Sequence, residues 1–151
     1  MNILLIALFL FCLLYHTYTD LKEMLLYDWV NLIILVGGLM HAYINDMLLE
    51  AGLGFGIALV ILLVIYFVSK GGLGEGDVKL APCLGLWLGF EKTLLGLLLA
   101  FVLGAVLGLI YMYIKGREFK TAIPFGPFLC LGACISFFFG KELIAFYFSL
   151  L

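Results

Sequence analysis

Residues 52–68 read GLGFGIALVILLVIYFV and contain no charged side chain. A helix needs about 17–25 predominantly apolar residues to cross the hydrocarbon core of a bilayer, so this stretch is long enough to span one. The whole chain of 151 residues has a similar character, with 66% hydrophobic residues, 12% charged residues and a mean hydropathy of +1.27. A soluble protein usually has about a quarter of its residues charged. The sequence therefore predicts a protein that lies mostly within a membrane.

Charged and turn residues divide the sequence into six apolar segments, at 2–18, 29–43, 52–68, 78–90, 93–114 and 122–139. The second and fourth are short, and we expect them to use flanking residues or to be shielded inside a bundle. The apolar tail 143–151 is too short to span and is predicted to lie along the interface. We predict an all-α polytopic bundle of about six transmembrane helices, forming one membrane-embedded domain over residues 1–151. Pairs of glycines stand four positions apart at 52/56, 85/89 and 104/108, and such spacing of small residues predicts close contacts between helices.

The basic residues predict the orientation of this bundle. Two of them, Lys92 and Lys141, fall on one side, and the other six lie in or beside the loops after segments one, three and five: Lys22, Lys70, Lys79, Lys115, Arg117 and Lys120. Cytoplasmic loops carry an excess of Lys and Arg. The sequence therefore predicts that these loops are cytoplasmic and that both termini face outward (N-out and C-out) in a cell membrane.

Charge and cysteine usage argue against several classes of function. The net charge of −2 and the lack of a basic tract do not favour nucleic-acid binding. The four cysteines form no CxxC pair, and no His stands at ligand spacing from two of them, so we expect no metal site and no cofactor. Cys130 and Cys134 lie four apart on one helix face, where a weak metal or redox site is conceivable, but we interpret them as apolar filler.

Two carboxylates stand at the predicted cytoplasmic boundary. Asp20 directly follows segment one, and Asp77 directly precedes segment four. An ionisable group at such a position is costly unless it has a function. Two carboxylates in a partly desolvated site share one proton, and the ionised member can take a proton from water while the protonated member polarises a carbonyl. The pair therefore indicates hydrolysis.

Glycines surround the second carboxylate, where residues 71–79 read GGLGEGDVK. Glycine permits positive φ and a close approach of a ligand to the backbone, so we expect an extended peptide to reach Asp77 here. An ordinary flexible turn between two helices is the alternative.

The stretch GEGDVKLA at 74–81 resembles the first eight positions of the GxGDxKLxA signature of the type IV prepilin peptidases, which are GxGD-class aspartic proteases of the membrane. The stretch DLKEMLLYD at 20–28 is similar to their first-loop motif, in which Asp is followed eight residues later by Asp or Asn. The stretch IPFGPFL at 123–129 resembles the segment that opens their last helix. The three matches occur in the order that this family has.

This resemblance implies that Asp20 and Asp77 are the catalytic pair of an aspartic endopeptidase. It implies that the substrates are precursors of type IV pilins or related pseudopilins, cut between a basic leader and a hydrophobic helix at the cytoplasmic face. We interpret Gly74, Gly76 and Asp28 as substrate-binding or supporting residues. We assign Lys79 to the same group. The alternative for Lys79 is that its side chain snorkels to the interface. The alternative for Asp28 is that its carboxylate only favours a helix start.

The chain departs from the family pattern in two places. The larger, bifunctional members carry an N-terminal region with a CxxC-bearing loop and N-methylation activity, which has no counterpart here, so we expect cleavage without methylation. Tyr27 stands where many members have Pro. The short form also resembles single-domain peptidases of adhesion-pilus and archaeal preflagellin systems.

Three other functions are alternatives. A small proton- or ion-coupled transporter could use an acidic pair, although transporters usually place such groups near the midplane between repeats. A membrane scaffold would carry these carboxylates incidentally. A signal-peptide-peptidase or presenilin-type protease shares GxGD but not the DxKLxA continuation.

His16, four residues before Asp20, is interpreted as an interfacial histidine with an ordinary hydrogen bond.

Overall fold

The computed structural model describes residues 3–70, 72–115 and 124–149, and these residues form six α-helices. The helices are α1 (Ile3–Glu23), α2 (Asp28–Ile44), α3 (Leu48–Val68), α4 (Glu75–Leu88), α5 (Phe90–Lys115) and α6 (Gly126–Ser149). Four of them are long and apolar enough to cross a membrane, namely α1, α3, α5 and α6. The prediction of an all-α polytopic membrane protein is confirmed, whereas the outward orientation of both termini stays a prediction.

Two helix boundaries correct the sequence analysis. Helix α1 continues beyond Asp20 to Glu23, and α4 begins at Glu75, so that Asp77 is its third residue. The prediction that both aspartates lie just outside their helices was wrong. Hydrogen bonding explains the longer α1, because the Met24 N–H still donates to the Asp20 carbonyl at 3.0 Å. In α4, acidic residues suit the first turn, where the helix dipole favours negative charge.

The apolar tail is a third difference. Residues 143–149 continue α6 without a break, so the prediction of a separate interfacial segment was wrong for them. No proline interrupts this stretch, and Lys141 and Glu142 are good helix formers. Residues 150 and 151, and the predicted start of segment six at Ala122, lie outside the described residues.

Helix α4 lies at the centre of the bundle and packs against α2, α3, α5 and α6. Its residues from Leu80 to Leu88 are all buried. With 14 residues it is about 21 Å long, too short to cross a hydrocarbon core of about 30 Å. The prediction that a short segment is shielded inside the bundle is confirmed for α4. Helix α2 differs, because Trp29 and Leu32 are more than half exposed.

Trp87 anchors the centre of this packing. Its indole Nε1–H donates to the Ile34 carbonyl at 2.8 Å. Its ring stacks on Phe9, with centroids 4.3 Å apart, and on His41, with centroids 5.0 Å apart. A Cβ on Gly37 would lie 2.9 Å from the indole, so the absence of a side chain there makes room for it. Trp87 thereby fixes α4 against α1 and α2.

Helices α3 and α4 approach each other through glycines. A Cβ on Gly85 would lie 2.8 Å from the Phe55 nitrogen and would collide with the Gly54 carbonyl group. The predicted contact through Gly52 and Gly56 was wrong, because a Cβ at either position would meet nothing within 4 Å. The sequence spacing identified a helix with small residues but not the face that its neighbour uses.

Five helix ends lie together at one end of the bundle. They are the C-terminal ends of α1 and α3 and the N-terminal ends of α2, α4 and α6. The contacts that join these ends are those of Gly126 with Asp20, Gly76 with Leu26, Asp28 with Lys79, and Tyr66 with Glu75. The motifs at 20–28 and 74–81 and the described part of the third motif, residues 124–129, therefore meet at this end, which we call the motif end.

Replacing Gly85 with Ala tests the close packing of α3 and α4. We expect it to lower the free energy of unfolding by about 1–3 kcal/mol, the usual cost of overpacking a filled core. Gly52→Ala is the matched control, because the added methyl meets no atom there and alanine favours the helix. Thermal unfolding in detergent would measure both. Equal stabilities of the two variants would contradict the packing described here.

Candidate active site

A hydrogen bond from the first residue of α6 holds the Asp20 side chain in place. Asp20 is 6% exposed, and its Oδ2 accepts a hydrogen bond from the Gly126 N–H at 2.9 Å. The donor is available because Gly126 is the first residue of α6, and the first N–H groups of a helix have no partner within it. A Cβ on Gly126 would lie 2.7 Å from the same oxygen. Glycine at this position therefore lets the carboxylate reach the helix start.

Asp77 is held at the start of α4 and is also 6% exposed. Glycines provide the space around it. A Cβ on Gly74 would lie 3.0 Å from Asp77 Oδ2, and a Cβ on Gly76 would lie 2.9 Å from the Leu26 Cβ. The expectation that these glycines supply positive φ was wrong for Gly74, whose φ is −66°. The two glycines of the motif instead allow other side chains to come close.

The two carboxylates meet in one cavity of about 470 Å³ at the motif end. Asp77 Oδ1 is buried and has no hydrogen-bond partner among the described residues. A buried polar atom without a partner costs free energy, so this oxygen would gain from a hydrogen-bond donor, which can reach it only when the enclosing side chains move. The cavity lining is Asp20, Met24, Leu25, Leu26, Tyr27, Asp28, Gly74, Glu75, Gly76, Asp77 and Lys79.

The connection between α1 and α2 forms one wall of this cavity, and most of its residues have no predicted role. Met24 has a φ of +53°, a left-handed conformation that ends α1 and that is strained for a residue with a side chain. The Tyr27 hydroxyl donates to Glu23 Oε2 at 2.9 Å, and this carboxylate raises the pKa of the Tyr27 phenol. Asp46 and Lys70 have the same conformation as Met24 after α2 and α3, so this conformation ends a helix here and does not by itself mark the site.

Asp28 and Lys79 form an ion pair at the cavity rim. The Lys79 ammonium donates to both carboxylate oxygens of Asp28, at 2.9 and 3.0 Å. Asp28 is also the first residue of α2, as the helix-start interpretation expected. The substrate-binding and snorkelling interpretations of Lys79 both stay predictions. Both side chains are more than half exposed, which leaves them accessible to a ligand.

His16 contacts a different partner from the one considered. Its Nε2 is 3.0 Å from Asn31 Oδ1, and the residue is fully buried. The structure places no hydrogen bond between His16 and Asp20. The buried link between His16 and Asn31 instead joins α1 to α2 on either side of the connection that lines the cavity. His16 is therefore a structural cross-link beside the candidate site.

The described residues contain no group of three or more His, Cys, Asp or Glu side chains that could hold a metal ion. Cys12, Cys83 and Cys130 are buried, Cys134 is partly buried, and all four are free thiols. The candidate site is thus built from carboxylates, backbone N–H groups, an ion pair and apolar side chains.

Residues 7–109 match the family model described as the type IV leader peptidase family, and this range includes both Asp20 and Asp77. The chain belongs to the type IV leader peptidase family. Similar proteins include a prepilin leader peptidase/N-methyltransferase of Legionella pneumophila, 36% identical over 137 residues, which are 86% of this chain and 48% of that protein. The corresponding protein of Xanthomonas campestris pv. campestris is 37% identical over 83% of this chain and 46% of its own length.

A third relative is the prepilin leader peptidase/N-methyltransferase of Aeromonas salmonicida, which is 32% identical over 88% of this chain and 48% of its own length. The chain spans about half the length of these curated relatives. No solved structure matches the chain. The resemblance drawn from the three sequence motifs is confirmed at the level of the family.

The His16–Asn31 link gives a test of how the wall of the site is held in this family member. We expect Asn31→Leu to lower the free energy of unfolding by about 1–3 kcal/mol, because it leaves the buried His16 Nε2 without its partner. The double variant His16→Leu with Asn31→Leu should recover part of that loss, since no polar group is then left unpaired. Unfolding in detergent measures both. A double variant that is less stable than Asn31→Leu would contradict this account.

Proposed function

We propose that this chain is a membrane aspartic endopeptidase that removes the leader from type IV prepilins or related pseudopilins. The proposal rests on one observation. Asp20 and Asp77 are 57 positions apart in sequence, and both line one cavity at the motif end. Membership of a leader peptidase family supports it. We further propose that residues 1–151 act as a single peptidase domain.

The proposed chemistry is the addition of water across the scissile peptide bond. One carboxylate of the pair is ionised and takes a proton from water, and the resulting oxygen attacks the carbonyl carbon. The other carboxylic acid hydrogen-bonds to the carbonyl oxygen and supports the charge that develops there. The C–N bond then breaks, and the leaving amine receives a proton from the pair. These reaction steps use no metal and no cofactor. The two protonation constants belong to the pair of carboxylates rather than to one residue.

The orientation of the site follows from the charge distribution. The motif end holds Lys22, Lys70 and Lys79, whereas Lys92 and Lys141 lie toward the other end. We propose that the motif end faces the cytoplasm and that both termini face outward, in an inner or plasma membrane. A precursor with a basic leader on the cytoplasmic side would then present its cleavage site at the depth of the aspartates. The carboxylates of Glu23 and Glu75 lie near this mouth and would attract such a leader.

A proton-coupled transporter is the alternative from another class. The pair would then be expected near the midplane of the bundle. Asp20 lies in the last turn of α1 and Asp77 in the first turn of α4, which favours hydrolysis at a membrane boundary over transport through the membrane.

Asp20→Asn and Asp77→Asn test the proposed pair. Each change nearly preserves volume while removing an ionisable group, so we expect processing to fall by at least about 100-fold. The measurement is co-expression with a candidate prepilin, scored as precursor against mature protein. Asp46→Asn is the control, because Asp46 lies at the opposite end with a φ of +53°, a conformation that Asn tolerates.

Normal processing by either aspartate variant would remove that residue from the catalytic pair. If the parent leaves every prepilin uncut while inserting in the membrane, the substrate assignment fails. Proton-coupled flux that disappears in Asp77→Asn would then favour the transporter.

Gly126→Ala tests whether the start of α6 positions Asp20. The added Cβ would lie 2.7 Å from Asp20 Oδ2, so the carboxylate must move. We expect cleavage to fall by about 10- to 100-fold, since small displacements of a catalytic group have effects of that size. Gly104→Ala is the control, because its Cβ would meet only aromatic carbons of Phe125 and Phe128 at 3.2–3.4 Å. Steady-state cleavage rates check this, and equal rates for the two variants would contradict a positioning role for Gly126.

A further inference from the structure

A second cavity of about 390 Å³ opens on the side of the bundle between α2, α3 and α4. Its wall is mainly apolar, and one wall residue, Leu32, is 60% exposed. The apolar side chains that form it are Leu32, Leu35, Phe55, Leu59, Val78 and Pro82. We call this cavity the lateral groove. It lies on the surface that a membrane protein presents to lipid.

The lateral groove is continuous with the candidate active site. Asp28 and Lys79 line both cavities, so their ion pair stands at the junction. Asp77 lies two residues before Lys79 and one before Val78, which is itself in the groove wall. A chain that passes over this junction can therefore place one part beside the aspartates and the next part in the groove.

Asn31 gives the groove a polar feature that lipid does not explain. It lines the groove, is only 6% exposed, and its Nδ2 has no hydrogen-bond partner among the described residues. Its Oδ1 is already used by His16. An acyl chain has no acceptor to offer this donor, whereas a peptide segment carries carbonyl oxygens. The Nδ2 atom is itself enclosed, so a groove occupant reaches it only when neighbouring side chains move, and a polypeptide is the occupant whose carbonyl oxygens could then accept its hydrogen bond.

Pro82 adds an acceptor to the same wall. Proline has no N–H, so the Val78 carbonyl loses its usual intrahelical donor four residues later. Val78 and Pro82 both line the groove. The groove wall thus includes an apolar surface, the Asn31 amide on α2, and a residue of α4, Val78, whose carbonyl has no N–H donor at position 82.

The dimensions fit a short helical segment. From Asp28 to Leu35 the α2 wall covers eight residues, and the seven steps between them span about 10 Å at 1.5 Å per step. That length corresponds to about two helical turns. Helices bind apolar grooves through side chains on one face, with two or three anchors over this distance.

We propose that the lateral groove is a binding site for the first two turns of the hydrophobic segment that follows the scissile bond of the substrate. This inference rests on the proposed peptidase function. The leader side of the substrate lies in the carboxylate cavity, the chain crosses the Asp28–Lys79 pair, and the hydrophobic helix packs against Leu32, Leu59 and Val78. The groove therefore recognises a membrane-embedded polypeptide from the side, without contacting the reacting atoms.

The first test fills the groove with Leu32→Trp and Leu59→Trp. We expect each to raise KM for a full-length precursor roughly tenfold and to change kcat by less than about twofold, because a contact away from the reacting bond contributes mainly to binding. Leu98→Trp on α5 is the matched control, since Leu98 is 60% exposed like Leu32 but lies outside the groove. It should leave both constants unchanged. Kinetics in nanodiscs keep the bilayer and the full chain.

The second test uses the inactive variant Asp77→Asn and a precursor with a photoreactive residue at successive positions after the scissile bond. We expect cross-links from the first two turns to map to residues 28–35, 55–59 and 78–83, and to decrease in Leu32→Trp but not in Leu98→Trp. Cross-links that map to α1, α5 or α6, or groove variants that behave like the control, would overturn the groove assignment while the parent still cleaves. A parent that cleaves no precursor overturns the proposed function instead, so the two failures are distinct.

Discussion

The close approach of α3 and α4 through Gly54 and Gly85 determines where the short central helix lies. Without side chains at these positions, α4 can approach its neighbour almost backbone to backbone, and its other faces remain available to α2, α5 and α6. Trp87 then fixes the depth of the helix through its bond to the Ile34 carbonyl. A helix held in this way can keep an aspartate in its first turn at a constant position, although the aspartate itself contributes nothing to the packing.

The two carboxylates are held by unlike means, and this difference affects how the pair can work. Asp20 receives a backbone N–H from the start of α6, whereas Asp77 Oδ1 has no partner among the described residues. Two buried carboxylates that were both fully hydrogen-bonded would have little capacity left for water or substrate. The asymmetry leaves one Asp77 oxygen without a partner while the Asp20 carboxylate is fixed. In the proposed peptidase, the fixed position of Asp20 reduces the ordering that substrate binding must supply.

Sequence patterns predicted the number and type of helices because apolar length decides both in a membrane. They also indicated Asp20 and Asp77, since charged residues are conspicuous in such a chain. They failed where a three-dimensional neighbour decides the outcome. Gly52 and Gly56 have the spacing of a contact face, yet Gly54 makes the contact, because the rotation of α3 about its axis is set by α4. The Gly126 donor could not be foreseen either, since it depends on where α6 starts in space rather than on any local pattern.

The length of α4 also accounts for the location of the cavities. A helix of about 21 Å inside a core of about 30 Å leaves space beyond one or both of its ends. The carboxylate cavity lies at its N-terminal end, and a larger cavity of about 900 Å³ lies at its C-terminal end, lined by Trp87, Gly89 and Lys92 among others. A full-length helix in the same place would fill both regions with side chains. The shortness of α4 is therefore what allows ionisable groups to sit within the bundle and still be reached from its surface.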